Sequence, residues 1–136
     1  MSNPLTELPG YKLRRASQAL IGELASRLSR LDLRLSDATV LLLVNDRQDI
    51  TPSEIGRELD IQRANMVPLL KRLESAGLTM RRPLDRKSFA VTLTPEGHQR
   101  RTRVEEVITA FEAELMARIP DRHRRHFMPI LDALLG

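Results

Sequence analysis

The stretch that decides the fold is residues 51–97, which read TPSEIGRELDIQRANMVPLLKRLESAGLTMRRPLDRKSFAVTLTPEG. It opens with three signals for the start of a helix. Thr51 is a favoured N-cap, Pro52 suits the first helical position, and Glu54 can return a hydrogen bond to the Thr51 amide. These residues predict a helix that starts at Pro52 and ends near Leu59.

A second helix and a hairpin follow. A tight turn through residues 60–62 leads to a predicted helix over residues 63–76, and Gly77 is expected to end it in the left-handed conformation. Two strands are predicted over residues 78–82 and 88–93, joined by a charged loop. The order helix, turn, helix, hairpin predicts a mainly α fold with a small β-hairpin wing, a winged helix-turn-helix.

Helices are also predicted before this core. Residues 1–10 contain two prolines and a glycine and are expected to form an arm with little structure. Apolar residues recur every three or four positions over residues 11–31, which predicts a long amphipathic helix. Ser36 is the expected N-cap of a short helix over residues 37–45, whose apolar run predicts central burial.

Two more helices are predicted after the hairpin. Thr94 and Pro95 begin the first, and Pro120 with Asp121 ends it and caps the last. Pro129 is expected to kink or shorten the last helix.

The terminal helices carry apolar stripes that so small a core cannot cover. The sequence therefore predicts a homodimer with two-fold symmetry. Its interface would come from an N-terminal arm and dimerisation helix, residues 1–34, and from C-terminal dimerisation helices, residues 94–136. Residues 35–93 would form the DNA-binding lobe, and the whole chain one compact domain.

Composition narrows the classes of function. The chain has 136 residues, 41% of them apolar and 3% aromatic, which predicts one domain with an aliphatic core. It has no cysteine, which excludes disulfides and thiol redox chemistry. No apolar run reaches the ~18 residues that span a bilayer, and no signal-peptide pattern begins the chain, so a cytoplasmic location without a membrane partner is expected. No cofactor is predicted.

Positive charge is concentrated in one segment. The chain has a formal net charge of +4, whereas residues 62–88 alone hold seven basic residues against two acidic ones. Such a segregated basic patch is typical of a polyanion-binding surface. Double-stranded DNA is the expected partner.

The second helix of the core divides into two faces. Its inward face is apolar and comprises Met66, Leu69, Leu70 and Leu73. The opposite face, with its edges, comprises Arg63, Ala64, Asn65, Val67, Pro68, Lys71, Arg72 and Ser75. In helix-turn-helix proteins the N-terminal residues of this helix meet base edges.

Each residue type on this face has a chemical reason to contact DNA. Arg63 can donate two hydrogen bonds to guanine, and Asn65 or Gln62 can pair with adenine. The apolar residues of the face, Ala64, Val67 and Pro68, are expected to touch thymine methyls. The basic residues further along, Lys71 and Arg72, are expected to contact phosphate. The alternative is an ordinary solvated helix face.

The hairpin tip is the second candidate contact. Arg81, Arg82, Arg86 and Lys87 surround one acid, Asp85. A basic finger beside a major-groove helix can reach the backbone or enter the minor groove. Asp85 is expected to orient Arg86 or Lys87 by a salt bridge. The alternative is a solvated, mobile turn.

The candidate DNA-contacting residues are Ser36, Thr51, Ser53, Gln62, Arg63, Ala64, Asn65, Val67, Pro68, Lys71, Arg72, Arg81, Arg82, Asp85, Arg86 and Lys87. A catalytic reading has little support, since the chain has neither a glycine-rich phosphate loop nor a nucleophile with a base. The spacing of His123 and His126 would suit a metal, but the two arginines between them favour a solvated helix start. A protein-interaction module remains the alternative function.

These motifs closely resemble the MarR family of bacterial transcriptional regulators. The resemblance covers residues 35–97 and rests on the Leu73–Leu78 run, the charged wing and the Leu-Thr-x-x-Gly sequence that ends at Gly97. It implies a triangular homodimer of winged helices that binds a pseudo-palindromic operator, usually as a repressor. It also implies possible release from the operator by a small molecule.

Two departures from the family pattern matter. Lys87 stands where the family's wing usually has arginine, which keeps the charge but loses the planar guanidinium. Minor-groove reading would then weaken or shift to Arg86. Residues 67–74 are similar to the branch that senses organic hydroperoxides through cysteine, which this chain lacks.

The resemblance also implies where a small-molecule effector would bind. It places Tyr11, Arg14 and Arg15 near the helix over residues 36–45, at the cleft between the dimer helices and the DNA-binding lobe. The pocket would be mainly aliphatic. A carboxylate could pair with Arg14 or Arg15, so an organic acid is the candidate effector.

Overall fold

A computed structural model describes residues 2–136. Within that range a short 3-10 turn, Pro4–Glu7, precedes six α-helices and an antiparallel hairpin. The elements are α1 (Pro9–Ser29), α2 (Leu35–Asp46), α3 (Pro52–Leu59), α4 (Arg63–Ser75), β1 (Thr79–Pro83), β2 (Phe89–Leu93), α5 (Pro95–Arg118) and α6 (Asp121–Leu135). The predicted fold class, a mainly α winged helix-turn-helix with flanking helices, is confirmed.

Local capping fixes the helix-turn-helix. The Glu54 amide donates to the Thr51 hydroxyl at 3.3 Å, and the Thr51 amide donates back to the Glu54 carboxylate at 3.4 Å. Asp60 ends α3 in the left-handed region, with φ of 54°. Gly77 follows α4 with φ of 75°, a conformation that glycine adopts without strain. The predicted start of α3 and stop after α4 are both confirmed.

Two predictions about the N-terminal half are wrong. Residues 2–10 are not an irregular arm, because Asn3 caps the 3-10 turn and Pro9 begins α1. Ser36 is not the N-cap of α2, because that helix begins one residue earlier, at Leu35, with Arg34 at the cap. The Asp37 carboxylate accepts from the Arg34 amide at 2.8 Å, so an acid in the first turn does the capping.

Helix α2 lies at the centre of the core, as its apolar run predicts. Ala38, Val40 and Leu41 are fully buried. Leu28 of α1 and Val104 of α5 belong to the same buried cluster. Helices α1 and α5 therefore share one core with the helix-turn-helix.

The wing is attached to the core at its base. Thr79 pairs with Leu93, and Pro83 pairs with Phe89. The Val91 amide donates to the Ile50 carbonyl at 2.9 Å, which ties β2 to the loop before α3. At the other end, the Thr94 amide donates to the Leu78 carbonyl at 3.1 Å and so joins the start of α5 to β1.

The two ends of the chain leave apolar surface uncovered. From the 3-10 turn to the middle of α1 the exposed apolar residues are Leu5, Leu8, Leu13 and Ile21, and on α6 they are Met128, Ile130, Leu134 and Leu135. No residue of α6, which spans 121–135, is buried. The helix runs through Pro129 to Leu135, so the predicted shortening does not occur.

Candidate nucleic-acid interface

The outer face of α4 is exposed along its N-terminal half. Gln62 caps the helix with extended backbone, and the side chains from Arg63 to Asn65 lie in solvent. Val67 is 66% exposed, which is unusual for so apolar a side chain. The inward face has Met66, Leu69 and Leu73 buried and Leu70 half-buried. The structure thus brings the predicted reading residues together on one solvent-facing surface.

The two basic residues further along α4 differ in their environment. Lys71 is exposed. The Arg72 Nη2 atom lies 2.6 Å from the Asp37 carboxylate, of which only 4% is exposed. Arg72 is thus paired within the protein, and its role as a phosphate contact stays a prediction. Its guanidinium is held by a buried acid on α2, because that acid needs a partner away from water.

Arg81 and Arg82 lie within β1 and not at the hairpin tip. The Arg81 Nε atom donates to the Glu74 carboxylate at 3.1 Å, and its guanidinium lies 4.6 Å from the centre of the Phe89 ring. Arg82 pairs with Asp49, in the loop before α3. The sequence reading grouped both arginines with the tip. In the structure each is paired with an acid and braces the base of the wing.

The tip itself presents Arg86 and Lys87. Both are exposed, and the Asp85 carboxylate beside them accepts from the backbone amides of Lys87 and Ser88, each at 2.8 Å. These hydrogen bonds to the charged carboxylate hold the pKa of Asp85 below its ordinary value. The predicted salt bridge from Asp85 to a basic side chain is therefore wrong. Asp85 closes the turn and leaves both cations free to point outward.

A groove of about 800 Å³ separates α3 and α4 from the wing. Gln62, Arg63 and Val67 line one side of it, and Lys87 lines the other. Among residues 2–136, no ion pair engages Arg63, Lys71, Arg86 or Lys87. Of the basic residues predicted to contact DNA, these four are thus unpaired, whereas Arg72, Arg81 and Arg82 each pair with an acid.

Three further candidates lie on α2 and α3. Ser53 is exposed and lines the groove. The Thr51 hydroxyl is half-buried and bound to the Glu54 carboxylate at 2.9 Å, and Ser36 is half-buried at the start of α2. The sequence reading missed Arg57, which is exposed and lines the same groove. Its signal was available, because a residue four positions after Ser53 shares its face of a helix.

The candidate effector residues lie near the start of α1. The Arg15 guanidinium donates to the Tyr11 hydroxyl at 3.1 Å, and this bond lowers the pKa of Tyr11. Arg14 is exposed. None of the three lines the groove or a smaller cavity of about 370 Å³ that includes Asn45, Arg82 and His98. The prediction that they bind a ligand stays a prediction.

A hairpin wing beside a helix-turn-helix, with unpaired cations on the second helix and at the wing tip, defines the class of winged-helix nucleic-acid-binding proteins. The description of the family model that matches residues 33–89 is "MarR family". HTH-type transcriptional repressor Rv2887 of Mycobacterium tuberculosis is 30% identical over 128 residues, which cover 92% of this chain and 91% of the relative. The chain belongs to the MarR family.

Solved structures are similar over nearly the whole chain. Rv2887 in complex with DNA has a TM-score of 0.77 and 30% identity, covering 99% of this chain and 100% of that one. Rv2887 in complex with salicylic acid has a TM-score of 0.72 and 29% identity, covering 98% and 97%. The transcriptional repressor CouR, bound to a 23-mer DNA duplex, has a TM-score of 0.82 and 28% identity, covering 96% and 94%.

In the part of the chain that the structure describes, no helix is long and apolar enough to cross a membrane. Over the same residues, no three acidic, histidine or cysteine side chains gather as a metal site would require.

Proposed function

We propose that this protein is a DNA-binding transcriptional repressor that acts as a homodimer on a pseudo-palindromic operator in the cytoplasm. One observation carries the proposal. The exposed face of α4 and the wing tip hold polar side chains and cations that form no ion pair within the described residues. Four acids nearby are bonded to other partners: Asp37, Asp49, Glu74 and Asp85. Such a surface attracts phosphate and leaves base-reading groups available.

The proposed DNA contacts follow from where each residue lies on α3, α4 or the wing. Arg63, Asn65 and Gln62 would read base edges from the N-terminal turn of α4. Lys71 and Arg57 would contact phosphate, and Arg86 and Lys87 would reach the minor groove. Ser53 would donate to phosphate from the start of α3. The paired residues Arg72, Arg81 and Arg82 would hold α4 and the wing in the orientation that this requires.

The uncovered apolar surface supports the homodimer. Residues on α1 and α6 that a single chain exposes, such as Leu13, Ile21 and Ile130, would be buried against a second copy. The proposed interface thus comes from residues 1–34 and 94–136, with residues 35–93 as the reading lobe. Two-fold symmetry would present two α4 helices to successive turns of one duplex face.

An organic acid is the proposed effector. Rv2887 has been solved with salicylic acid, and the chain carries two exposed arginines, Arg14 and Arg15, the second of which donates to the hydroxyl of Tyr11. A carboxylate bound by these residues at the dimer cleft would favour the dimer geometry that fits DNA less well. The proposed function includes no catalytic step.

Selection from a randomised duplex library, followed by binding measurements at several salt concentrations, tests the DNA proposal. A repressor of this type selects a two-fold symmetric sequence, and the logarithm of its binding constant falls with a slope of about −0.9 for each phosphate neutralised. If no duplex binds better than random DNA and binding lacks this salt dependence, the protein-interaction alternative replaces the proposal.

The variant Lys87→Ala is compared with Arg103→Ala, which removes an equally exposed charge from α5. Only the first should weaken DNA binding.

The effector is tested separately. Salicylate is titrated against the operator complex and, without DNA, in thermal unfolding, where a ligand that binds the folded dimer raises the melting temperature. Arg14→Ala and Arg15→Ala should reduce the shift, with Arg103→Ala as the charge-matched control. An unchanged shift in both variants would place the ligand elsewhere.

A further inference from the structure

A proline interrupts the hydrogen bonding of the reading helix. Helix α4 runs from Arg63 to Ser75 with Pro68 inside it. A proline nitrogen carries no hydrogen, so Pro68 cannot donate to the carbonyl of Ala64, its partner four residues earlier in a regular helix. The carbonyl of Gln62, two residues before Ala64, by contrast accepts from the amides of Asn65 and Met66 at 2.9 and 3.1 Å. The Ala64 carbonyl therefore lacks its helical donor.

The residues around this carbonyl lie on the exposed face of α4. Ala64, Val67 and Pro68 are all exposed, and Val67 is 66% exposed. A proline ring also crowds the carbonyl of the preceding turn, and the crowding opens the helix on that side. The Ala64 side chain is a single methyl group, which lets another molecule approach the backbone closely. The first turn of α4 thus carries, on a residue of its exposed face, a carbonyl without its helical donor.

Only some bases can satisfy such an acceptor. In the major groove, cytosine offers the N4 amino group and adenine the N6 amino group, whereas guanine and thymine offer acceptor oxygens at the corresponding edge. A guanine or thymine placed under the Ala64 carbonyl would leave two acceptors facing each other. Binding would then lose the free energy needed to remove the Ala64 carbonyl from water without giving it a hydrogen-bond donor.

We infer that the Ala64 carbonyl accepts a hydrogen bond from the exocyclic amino group of a cytosine or adenine in each operator half-site, and that Pro68 creates this preference by freeing the carbonyl. The inference rests on the proposed DNA-binding function. Pro68 acts through the Ala64 backbone and is a positioning residue. The start of α4 then offers donors from Arg63 and an acceptor from Ala64 side by side, which lets one turn of helix read two different base edges.

Two substitutions restore the missing amide. Pro68→Ala and Pro68→Val each place an N–H where it can donate to the Ala64 carbonyl, and both residues are far better tolerated in a helix interior than proline. Valine also keeps apolar bulk against a thymine methyl, so it separates the carbonyl effect from loss of the ring contact. Val67→Ala is a comparison variant, because it removes apolar surface from the same face and leaves Pro68 in place; as Val67 is itself a candidate DNA contact, its overall affinity is expected to fall.

The experiment uses the full chain and randomised duplexes. The unsubstituted protein should select cytosine or adenine at one position of each half-site, and both Pro68 variants should lose that preference while other positions are unchanged. Val67→Ala should keep this preference although its overall affinity falls. The selected base is then replaced by an analogue without the amino group, 2-pyrimidinone for cytosine or purine for adenine. This should weaken binding about three- to tenfold for the unsubstituted protein and leave the Pro68 variants nearly unaffected.

Several results overturn the inference. It fails if the Pro68 variants select the same bases as the unsubstituted protein, or if the amino-free analogue weakens all the proteins equally. It also fails if no amino base is preferred, as when a bridging water serves the carbonyl for every base. If the unsubstituted protein selects no sequence at all, the proposed function fails first and this inference falls with it. The two failures are thus distinguishable.

Discussion

The close approach of Gly97 to β1 gives the sharpest test of the fold. Gly97 lies in the first turn of α5, and a Cβ atom built on it would lie 3.0 Å from the carbonyl carbon of Leu78 and closer still to its oxygen. Both atoms are backbone, so no side-chain rotation relieves the overlap. The Leu78 carbonyl also accepts from the Thr94 amide at 3.1 Å. In Gly97→Ala the start of α5 must therefore move away from the wing.

The magnitude follows from those contacts. Overpacking a tight site costs about 1–3 kcal/mol, and weakening the Thr94 hydrogen bond adds about 1 kcal/mol. We expect Gly97→Ala to lower the free energy of unfolding by about 2–4 kcal/mol. At about 4 °C per kcal/mol for a chain of this size, the melting temperature should fall by roughly 8–16 °C.

Chemical denaturation and calorimetry measure the effect at one fixed protein concentration, since dimerisation would make stability concentration-dependent. Gly22→Ala is the matched control. A Cβ at Gly22 meets nothing within 4 Å, and alanine is the better helix former by ~1 kcal/mol. A Gly97→Ala protein whose free energy of unfolding stays within ~1 kcal/mol of the unsubstituted protein would refute the reasoning.

Three further outcomes are expected. Thr51→Ala removes the reciprocal cap of α3 and should cost about 1 kcal/mol in denaturant unfolding; an unchanged midpoint would contradict that role. The Asp85 carboxyl, followed by NMR, should titrate with a pKa below its ordinary value of 3.8. The stability that the charged carboxylate gives the folded protein is therefore complete above pH 3.8, and it is lost as pH falls through the lower pKa of the folded state. Lys71→Ala should reduce the salt slope of DNA binding by about 1. Arg72→Ala should instead lower stability by about 2–3 kcal/mol, by leaving Asp37 unpaired, with the slope unchanged; a reduced slope would make Arg72 a phosphate contact after all.

Local chemistry made much of the fold predictable. The cap at Thr51, the stop at Gly77 and the start of α5 at Thr94 each depend on residues within one helical turn, and all three are confirmed. The error at Ser36 is also local. Serine is a good cap by type, but Asp37 supplies a stronger acceptor and moves the start of α2 to Leu35.

The ion pairs of the candidate site could not be predicted in this way. Arg72 and Asp37 are 35 residues apart in sequence, and Arg82 pairs with Asp49 across the loop before α3. A pattern of basic residues does not reveal which acids the fold will bring beside them. The helical periodicity of the sequence therefore identified the exposed face of α4. It could not distinguish arginines that pair with an acid from those that do not.

The carboxylate of Asp37 connects the central helix α2 to the reading helix α4. It accepts from the Arg34 amide at 2.8 Å, at the start of the central helix, and lies 2.6 Å from the Arg72 guanidinium on the reading helix. A single buried anion thus serves as a pivot shared by α2 and α4. If α2 tilts, either α4 moves with it or the buried Asp37 carboxylate loses its ion pair with Arg72. A movement of α2 would therefore change the angle at which α4 faces the DNA.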